Sequence, residues 1–409
     1  MRIGLINPNR LRQPPVLPIG LEYVAGALRQ AGHDVRVLDL CFVNDPAAEI
    51  GRFVREHRPQ AAFLTIRNVD SVINAEERFF LEEHRQIAAL LANEGLPLVV
   101  GGAGVVAAPK FVRDYLGART AVVGPGERAA VAIAEAMANG ADLPELVDGF
   151  ALPFDPRLAV DRAVDLDYAT YYARDGIAGF TSSYGCPGAC AFCIEARTPV
   201  RLRDPAVVRE EVRSLVERGW SRMHLCDAEL NVSYRHALAV CEALAGTGVR
   251  WATYLRHRPL DPRLSAALRE AGCDMATVTV TSATDRPDDA GQAIRRLRQA
   301  GIRVAVDLSC GLPGERPEQA REMIRTLHEA GAQRVGVTVR FRVYPNTRLA
   351  HAIRRDPAER RWTHGDPEFS RPAAYCRFDP AEVCEWIAGM AEFAIDTGEA
   401  VNYQRLQAE

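Results

Sequence analysis

The first 150 residues alternate between short, continuous apolar runs and longer segments in which apolar residues recur every three or four positions. Continuous runs are typical of strands buried on both faces, and the longer repeat is typical of amphipathic helices. Predicted strands are Arg2–Asn7, Asp34–Leu40, Ala61–Ile66, Leu96–Gly101 and Ala118–Val123. Predicted helices are Ile19–Ala31, Pro46–His57, Glu76–Asn93, Pro109–Leu116 and Glu127–Asn139. Five such βα units predict an α/β domain with a doubly wound, five-stranded parallel sheet at residues 1–150.

The alternation resumes at Ile177, after an irregular stretch that we predict to be a linker at residues 151–176. Predicted strands are Ala178–Ser183, Arg222–Cys226, Arg250–Tyr254, Met275–Val280, Arg303–Leu308 and Arg334–Phe341. Predicted helices are Pro205–Arg218, Tyr234–Ala245, Asp261–Ala271, Pro287–Ala300 and Pro317–Ala330. Six βα units indicate a partial (β/α)6 barrel at residues 177–343. Residues 344–409, with a helical pattern around Ala381–Thr397, are predicted to form a small C-terminal helical cap.

Composition narrows the class of protein without naming a function. Hydrophobic residues make up 48% and charged residues 25% of the chain, as in ordinary globular proteins. A net charge of −3 shows no electrostatic sign of binding to nucleic acid or to an anionic membrane. No apolar run approaches the roughly 18 residues of a membrane span, and the N-terminus enters a strand pattern rather than a signal peptide. We expect a cytoplasmic protein with neither nucleic acid nor membrane as a partner.

The strongest chemical signal is a run of three cysteines, Cys186, Cys190 and Cys193, directly after the first predicted barrel strand. Three thiolates can hold one [4Fe–4S] cluster by three of its irons, which leaves the fourth iron open for chemistry. A zinc knuckle is the alternative, but zinc needs a fourth ligand at short range, and no further Cys or His lies within about 30 residues. We therefore assign the three cysteines as the metal ligands and the catalytic residues.

The spacing C-x-x-x-C-x-x-C, with Phe192 just before the third cysteine, resembles that of the radical S-adenosyl-L-methionine (SAM) superfamily. The resemblance implies that the open iron binds the amino and carboxylate groups of SAM. It also implies cleavage of SAM to methionine and a 5′-deoxyadenosyl radical, with an electron from an external donor of the flavodoxin or ferredoxin type. By the same resemblance, Phe192 lies beside the adenine.

Three further strand ends resemble segments of the same superfamily. The run Asp227-Ala-Glu-Leu-Asn231 resembles the Asp-x-x-Phe-Asn stretch of members that also carry a cobalamin domain, although Asp and Asn are equally typical of a helix N-cap. The run Gly311-Leu-Pro-Gly-Glu315 resembles a Gly-Leu-Pro-Gly-Glu turn, although Gly and Pro mark ordinary turns too. The run Tyr344-Pro-Asn-Thr347 resembles a Tyr-Pro-Gly-Thr turn.

The end of the fourth barrel strand departs from the family pattern. Relatives carry a Glu-Ser-Gly-like run there, whereas this chain has Thr281-Ser-Ala-Thr284, whose first two hydroxyls could still bond a ribose. The resemblance thus predicts SAM contacts at Phe192, Asp227, Glu229, Thr281, Ser282, Gly311, Leu312 and Tyr344.

Four loops at the predicted carboxyl edge of the N-terminal sheet carry small and polar residues that suit a bulky or anionic ligand. Together with Pro18–Ala25 and Gly32–Val35, they resemble the flavodoxin- or Rossmann-like cobalamin (B12)-binding domain that precedes the radical SAM barrel in a large subfamily. A nucleotide-binding domain or a vestigial flavodoxin-like domain is the alternative. The resemblance predicts cobalamin contacts at Asn7, Arg67, Asn68, Gly101, Gly102, Ala103, Gly104, Gly124, Gly126 and Glu127.

The N-terminal domain lacks the Asp-x-His-x-x-Gly run that supplies an axial histidine in other cobalamin proteins. We therefore expect cobalamin to bind without a protein histidine ligand, and we interpret His33 as structural. Arg67 is the strand-end residue best placed to approach the corrin from below, where its charge would disfavour a sixth ligand. A pairing of Arg67 with Asp70 or with a phosphate is the alternative.

The combined resemblance implies a cobalamin-dependent radical SAM enzyme of the methyltransferase-like class B, which C-methylates an unactivated carbon of a small-molecule, natural-product type of substrate. Two alternatives stay open. The same apparatus could cyclise or rearrange a substrate without methyl transfer, or the chain could be a cluster-bearing sensor or partner subunit, which the Thr281–Thr284 run suggests. Arg371, Tyr375 and Trp386 in the tail are candidates to shape the substrate pocket.

Overall fold

A computed structural model of the chain describes residues 1–12, 14–71, 78–365 and 373–395. The described chain divides into two compact units. The N-terminal unit comprises Met1–Ser71 and Arg78–Ala178, and the C-terminal unit comprises the described residues from Gly179 onward. Among the described residues, no helix is long and apolar enough to cross a membrane.

The N-terminal unit is built on a six-stranded parallel sheet in the order β2-β1-β3-β4-β5-β6. Its strands are β1 (Arg2–Asn7), β2 (Asp34–Asp39), β3 (Ala61–Thr65), β4 (Leu98–Gly101), β5 (Thr120–Val123) and β6 (Leu146–Asp148). The five predicted strands are present, and β6 is an addition to them. This edge strand is short and partly exposed, so it carries no apolar run from which it could be predicted.

The helices of this unit are α1 (Ile19–Gln30), α2 (Pro46–His57), α3 (Phe80–Asn93), α4 (Ala103–Ala107), α5 (Pro109–Leu116), α6 (Glu127–Ala138) and α7 (Tyr168–Tyr172). The helix predicted at Glu76–Asn93 begins only at Phe80, since the Phe80 N–H donates to the Val69 carbonyl and Phe79 pairs with Asp70. Glu76 itself lies outside the described residues.

The order of strands creates a crevice at one edge of the N-terminal sheet. Strand β1 lies between β2 and β3, so the chain reverses its direction of travel across the sheet at β1. In doubly wound sheets, ligands bind beyond the carboxyl ends of the strands at such a switch point. The crevice therefore lies beside the loops that follow β1 and β3.

Residues 151–176, which we predicted to be a linker, pack against the N-terminal unit instead. The Arg162 guanidinium donates to the Glu22 carboxylate on α1 at 2.7 Å, and both side chains are almost fully buried. The Tyr168 hydroxyl donates to the same carboxylate at 2.8 Å, and that of Tyr171 donates to Asp39 at 2.8 Å. Because these buried polar groups satisfy one another, the segment is a structural part of the unit.

The C-terminal unit contains an open seven-stranded sheet in the order β18-β14-β13-β12-β11-β10-β7. Its strands are β7 (Ala178–Phe180), β10 (Arg222–Leu225), β11 (Arg250–Arg256), β12 (Cys273–Thr281), β13 (Arg303–Ser309), β14 (Arg334–Thr338) and β18 (Phe393–Ile395). The intervening short strands form two small sheets: β8 (Ser183–Tyr184) with β9 (Arg201–Leu202), and β15 (Phe341–Val343) with β17 (Ala373–Tyr375) and β16 (Thr363–His364).

The helices of this unit are α8 (Pro205–Glu217), α9 (Tyr234–Leu244), α10 (Pro262–Glu270), α11 (Pro287–Gln299), α12 (Pro317–Ala330), α13 (Arg348–Arg355), α14 (Pro357–Arg360) and α15 (Pro380–Trp386). Helices α8 to α12 alternate with β7 and β10 to β14, which is the repeating unit of the predicted partial barrel. Strand β18 adds a seventh strand to the six that we predicted.

Three predicted elements of the C-terminal unit are corrected by the structure. The first and sixth predicted strands each divide in two, and their second halves, β8 and β15, join the small sheets. The helix predicted around Ala381–Thr397 ends at Trp386, because Gly389 adopts a φ of 84° and the following chain pairs with β14. Thr397 lies outside the described residues.

Candidate functional site

The three cysteines lie in one loop of the C-terminal unit, between β8 and β9. Cys186 is buried, whereas Cys190 and Cys193 are half-buried. The Cys186 N–H donates to the Thr198 hydroxyl at 2.9 Å, and the Thr198 N–H donates back to the Cys186 carbonyl at 3.0 Å. The Cys193 N–H donates to the Cys190 carbonyl at 3.3 Å. These backbone contacts, closed by the β8–β9 pair, hold the three thiols in a compact loop.

Burial favours the protonated, neutral form of the three thiols. It raises the pKa of all three, that of Cys193 to about 12. At Cys186, the Gly188 N–H, 3.3 Å from the sulfur, and the Arg256 guanidinium lower the pKa, whereas Glu229 raises it further. Buried thiols with a raised pKa are poor nucleophiles, and binding of a metal is what removes their protons. The loop therefore favours metal coordination over free-thiol chemistry.

The arrangement of the thiols fits a cluster rather than a single ion. Within the described ranges, no three His, Cys, Asp or Glu side chains are close enough to share one metal ion. A cluster makes a different demand, because each thiolate binds a separate iron. Cys186, Cys190 and Cys193 occupy one loop, as the ligands of one cluster do.

Asp227, a predicted SAM contact, is fully engaged within the protein. Its Oδ1 accepts from the Thr181 hydroxyl at 2.7 Å and from the N–H groups of Ser182 at 2.7 Å and Ser183 at 3.1 Å. Its Oδ2 accepts from the hydroxyls of Ser182 at 2.5 Å and Ser183 at 2.8 Å. All of these partners belong to the protein itself, and the predicted SAM contact at Asp227 stays a prediction. Asp227 fixes the chain between β7 and β8 that leads into the cysteine loop.

Glu229, the second predicted SAM contact of this segment, contacts side chains rather than backbone groups. The Thr279 hydroxyl donates to its Oε1, and the Arg256 Nε lies 2.5 Å from its Oε2. The pair is close, yet its geometry is not that of a hydrogen bond, and the buried Oε2 accepts no hydrogen bond among the described residues. The nearest cation to this oxygen is therefore the Arg256 guanidinium, and the two charges form an ion pair. The predicted SAM contact at Glu229 stays a prediction.

The Glu315 carboxylate accepts hydrogen bonds from three of the other predicted SAM contacts. Its Oε1 accepts from the Ser282 hydroxyl at 2.5 Å, and its Oε2 accepts from the N–H groups of Gly311 at 2.8 Å and Leu312 at 3.0 Å. Burial raises the pKa of Glu315, and these donors oppose the rise. The polar groups predicted to bind SAM are thus used to build the turn after β13 and to join it to the end of β12.

Two predicted contacts have backbone roles. The Thr281 N–H donates to the Asp285 carboxylate at 2.7 Å, and the Tyr344 carbonyl accepts from the Thr347 hydroxyl at 2.8 Å. Because these bonds involve the backbones of Thr281 and Tyr344, the contacts predicted for their side chains stay predictions.

Phe192, the aromatic residue of the cysteine run, packs within an apolar cluster formed by the end of the C-terminal unit. Its ring lies 5.0 Å from that of Phe341, centroid to centroid, at an angle of 34°. The cluster includes Leu312, Val343 and Leu349. The Leu349 N–H also donates to the carbonyl of Ala191, the residue before Phe192, at 2.8 Å. The apolar cluster thus holds one side of the cysteine loop.

Two of the tail residues that we predicted to shape the substrate pocket contact other side chains of the protein. Tyr375 is buried, and its hydroxyl donates to Glu359. The Arg321 guanidinium stacks on Trp386 at 4.8 Å from the ring centroid. Arg371 lies outside the described residues.

At the carboxyl edge of the N-terminal sheet, the side chain of Asn7 points inward. Its amide donates to Asp39 at 2.8 Å and accepts from the Asn9 N–H at 3.2 Å, and the residue is 2% exposed. The side chain of Asn7 is therefore used within the protein, and the predicted cobalamin contact at Asn7 stays a prediction. Glu127 is also buried, as the first residue of α6.

The glycines of this edge allow neighbouring loops to approach each other. A Cβ at Gly102 would lie 2.6 Å from the Ile66 carbonyl oxygen, and one at Gly104 would lie 3.0 Å from the same atom. A Cβ at Gly124 would lie 2.6 Å from the Phe150 ring. Part of the pattern that we interpreted as a ligand site is therefore needed for packing between loops.

Exposed residues remain at the same edge. Arg67, Gly102 and Ala103 are exposed, whereas Asn68, Gly101, Gly124 and Gly126 are half-buried. Arg67 follows β3, directly at the switch point between β1 and β3. An exposed edge with a cation and small residues fits a large, flat ligand lying across the strand ends, as cobalamin would.

Sequence reasoning missed Arg256, the last residue of β11, because the predicted strand ended at Tyr254. Its side chain pairs with Glu229, and it contributes to the charge around Cys186. A charged residue at the carboxyl end of a barrel strand is the signal that could have identified it.

Comparisons with known proteins identify a family for each of the two units. The family model for the B12 binding domain matches residues 12–134, and that for the Radical SAM superfamily matches residues 180–327. The structure of the radical SAM methyltransferase TsrM from Kitasatospora setae, with tryptophan and a SAM analogue bound, has 25% sequence identity and a TM-score of 0.81. The match covers 98% of this chain and 89% of that one.

Curated relatives include two carbon methylases. Tryptophan 2-C-methyltransferase of Streptomyces laurentii is 24% identical over 446 residues, covering 86% of this chain and 74% of the relative. Hopanoid C-3 methylase of Methylococcus capsulatus is 27% identical over 288 residues, covering 63% of this chain and 52% of the relative.

Proposed function

We propose that this chain, which belongs to the radical SAM superfamily and carries a B12-binding domain, transfers a methyl group from SAM to a carbon atom of a small molecule. The observation that carries the proposal is the three-cysteine loop at the carboxyl end of a parallel β/α sheet, in a chain that also contains a B12-binding domain. Relatives named for methylation of carbon in tryptophan and in hopanoids support methyl transfer and a small substrate.

Each group of the site has a defined task under this proposal. Cys186, Cys190 and Cys193 would hold the cluster through three irons, and the Glu229 carboxylate, which also pairs with Arg256, would accept from the ammonium of SAM. Arg67 and the small residues of the N-terminal edge would hold cobalamin without a histidine ligand. When bound, the cluster supplies an electron and cobalamin carries a methyl group.

The protein also controls access to the cysteine loop. The apolar cluster around Phe192 and Phe341 excludes water from one side of the loop. Exclusion of water strengthens electrostatic interactions and protects reactive intermediates. Asp227 fixes the chain that leads into the loop, because it accepts from the buried hydroxyls and N–H groups of Ser182 and Ser183.

We infer two features of the cellular context. An external one-electron donor of the flavodoxin or ferredoxin type would reduce the cluster. A cytoplasmic location suits the protein, because free thiols and an oxygen-sensitive cluster persist in a reducing compartment.

The proposal is tested by following the methyl group of SAM. The full-length protein would be reconstituted anaerobically with iron, sulfide and cobalamin, then incubated with reductant and SAM that carries a deuterated methyl group. Tryptophan is the first candidate substrate because relatives are named for it, and a panel of small aromatic and isoprenoid compounds follows. We expect S-adenosylhomocysteine and a product that gains one labelled methyl group, both measured by mass spectrometry.

Cys186→Ala is the matched control, since it removes one cluster ligand and leaves the rest of the loop. The variant should bind less iron and form no methylated product. If the wild-type enzyme forms 5′-deoxyadenosine and an altered product without the label, the enzyme rearranges its substrate and the methyltransferase proposal is wrong. If neither SAM product forms above the Cys186→Ala background, the chain is not an enzyme of this class.

A further inference from the structure

Arg256 is held by two residues of the segment that follows β10. Asn231, which is fully buried, accepts from the Arg256 N–H at 2.8 Å and donates to the Arg256 carbonyl at 2.9 Å. Glu229 pairs with the guanidinium at 2.5 Å and is itself bound by the Thr279 hydroxyl. The backbone and the side chain of Arg256 are therefore both fixed, which is unusual for a long arginine side chain with rotamer freedom to lose.

The fixed guanidinium lies against the cysteine loop. A Cβ placed on the buried Gly188 would be 2.6 Å from an Nη of Arg256 and 3.1 Å from the Cys186 sulfur. The guanidinium and the sulfur thus flank the same point, and a side chain at Gly188 would displace one of them. Gly188 also donates its N–H to that sulfur at 3.3 Å. The absence of a Cβ at Gly188 thus leaves room for the guanidinium beside the sulfur.

We propose that Arg256, balanced by Glu229, sets the reduction potential of the cluster held by Cys186, Cys190 and Cys193. This inference rests on the proposed function, because it requires the cluster. Reduction adds one negative charge to the cluster, so a nearby cation stabilises the reduced state and a nearby anion destabilises it. Arg256 and Glu229 have opposite charges, so removing either one should shift the potential in a direction that identifies it.

The predicted directions follow from the charges. Arg256→Gln leaves the Glu229 carboxylate uncompensated beside the loop, so the potential should fall. Glu229→Gln leaves the guanidinium uncompensated, so the potential should rise. In the double variant both charges are absent, and the potential should return toward that of the wild type. We expect each single variant to change the ratio of reduced to oxidised cluster at the wild-type midpoint by roughly tenfold, which for one electron is about 59 mV.

The experiment is a redox titration of the reconstituted full-length protein without SAM or cobalamin, followed by electron paramagnetic resonance of the reduced cluster. Arg256→Lys keeps the charge, and its potential should lie closer to the wild type than that of Arg256→Gln. Arg250→Gln is the matched control. Arg250 is at the amino end of the same strand, is exposed and pairs with Asp274, so its loss should leave the potential unchanged.

The outcomes separate this inference from the proposed function. A wild-type protein that takes up no [4Fe–4S] cluster overturns both. A normal cluster whose potential is unchanged, or shifted in the same direction by Arg256→Gln and Glu229→Gln, overturns this inference alone. If Arg256→Gln binds no iron because it fails to fold, Glu229→Gln decides by the sign of its shift.

Discussion

At the scale of single residues, three polar side chains from one short segment position the groups around the cysteine loop. Asp227 binds the chain before the loop, Glu229 binds the side chain of Arg256, and Asn231 binds its backbone. A buried polar group is stabilising only when its partners are in place, so each of these residues specifies one arrangement of its neighbours. The resemblance placed Asp227 and Glu229 together as SAM contacts, whereas the structure gives them different partners.

Replacing Asp227 tests its role in positioning the loop. Asp227→Ala leaves two buried N–H groups and two serine hydroxyls without their acceptor. Each unsatisfied buried group costs about 1–3 kcal/mol, so we expect a loss of at least about 3 kcal/mol in the free energy of unfolding. Iron bound per chain after reconstitution should fall as well. Both quantities are measurable, by urea titration and by iron analysis.

Asp261→Ala is the control for this change. Asp261 accepts from the Leu264 N–H as the N-cap of α10, away from the cysteine loop. Its loss should cost about 1 kcal/mol and leave the iron content unchanged. Equal iron content in both variants would show that Asp227 does not position the loop.

At the scale of elements, the loops after the N-terminal strands combine packing with exposure. The loop after β4 contacts the end of β3 through Gly102 and Gly104, and the Gly104 N–H donates to the Ile66 carbonyl at 2.8 Å. Ala103, between these glycines, is exposed at the same edge. A rigid pair of loops with an exposed rim is suited to support a bound ligand, because the loops need no rearrangement on binding.

Gly102→Ala tests the packing of these loops. Gly102 adopts a φ of 103°, and a Cβ would lie 2.6 Å from a backbone oxygen that cannot move aside cheaply. We expect a loss of about 3 kcal/mol or more in the free energy of unfolding of the N-terminal unit, with weaker retention of cobalamin.

Gly140→Ala separates steric contact from backbone conformation. Gly140 also has a positive φ, of 67°, but a Cβ there would meet no atom within 4 Å. The cost should be about 1–2 kcal/mol, from the left-handed conformation alone. A Gly102 variant no less stable than the Gly140 variant would rule out the close loop contact.

At the scale of the whole molecule, the boundary between the two units lies near residue 178 because residues 151–178 are tied to the N-terminal unit by buried polar groups. Arg162 pairs with Glu22, and its guanidinium also lies 5.3 Å from the centroid of the Tyr23 ring. Arg162 also donates to the Tyr168 hydroxyl at 2.9 Å, so the buried ion pair lies within a small polar network that holds the segment.

Arg162→Met should destabilise the full-length protein by about 3–5 kcal/mol, because it leaves the Glu22 carboxylate buried without its cation. The double variant Arg162→Met with Glu22→Leu should recover much of this loss, since apolar replacement of both partners removes the unpaired charge. Urea unfolding of both variants measures the difference. Arg52→Met, which removes an exposed pair with Glu49, should have a far smaller effect. A double variant no more stable than Arg162→Met would contradict this account.

The sequence by itself determined the types of elements, their order and the position of the three-cysteine run. Apolar runs predicted strands β1 to β5 of the N-terminal sheet, since burial of strand side chains leaves a local signal in the sequence. Cys186, Cys190 and Cys193 predicted a cluster, because the spacing of such ligands lies within a single loop and is visible in the sequence. The β/α order of both units followed from the alternation of short apolar runs with segments in which apolar residues recur every three or four positions.

Only the tertiary structure decided which polar side chains face a ligand and which hold the protein together. Asp227 and Thr181 are 46 positions apart, and no local pattern shows that they are hydrogen-bonded. The strand end could have identified Arg256, but its contact with Gly188, which belongs to a loop after a different strand, is visible only in the tertiary structure. Strands β6 and β18 are three residues long, and they exist through pairing with a neighbour. Apolar periodicity is a local property of the chain, whereas hydrogen-bond partners are brought together by packing of distant segments.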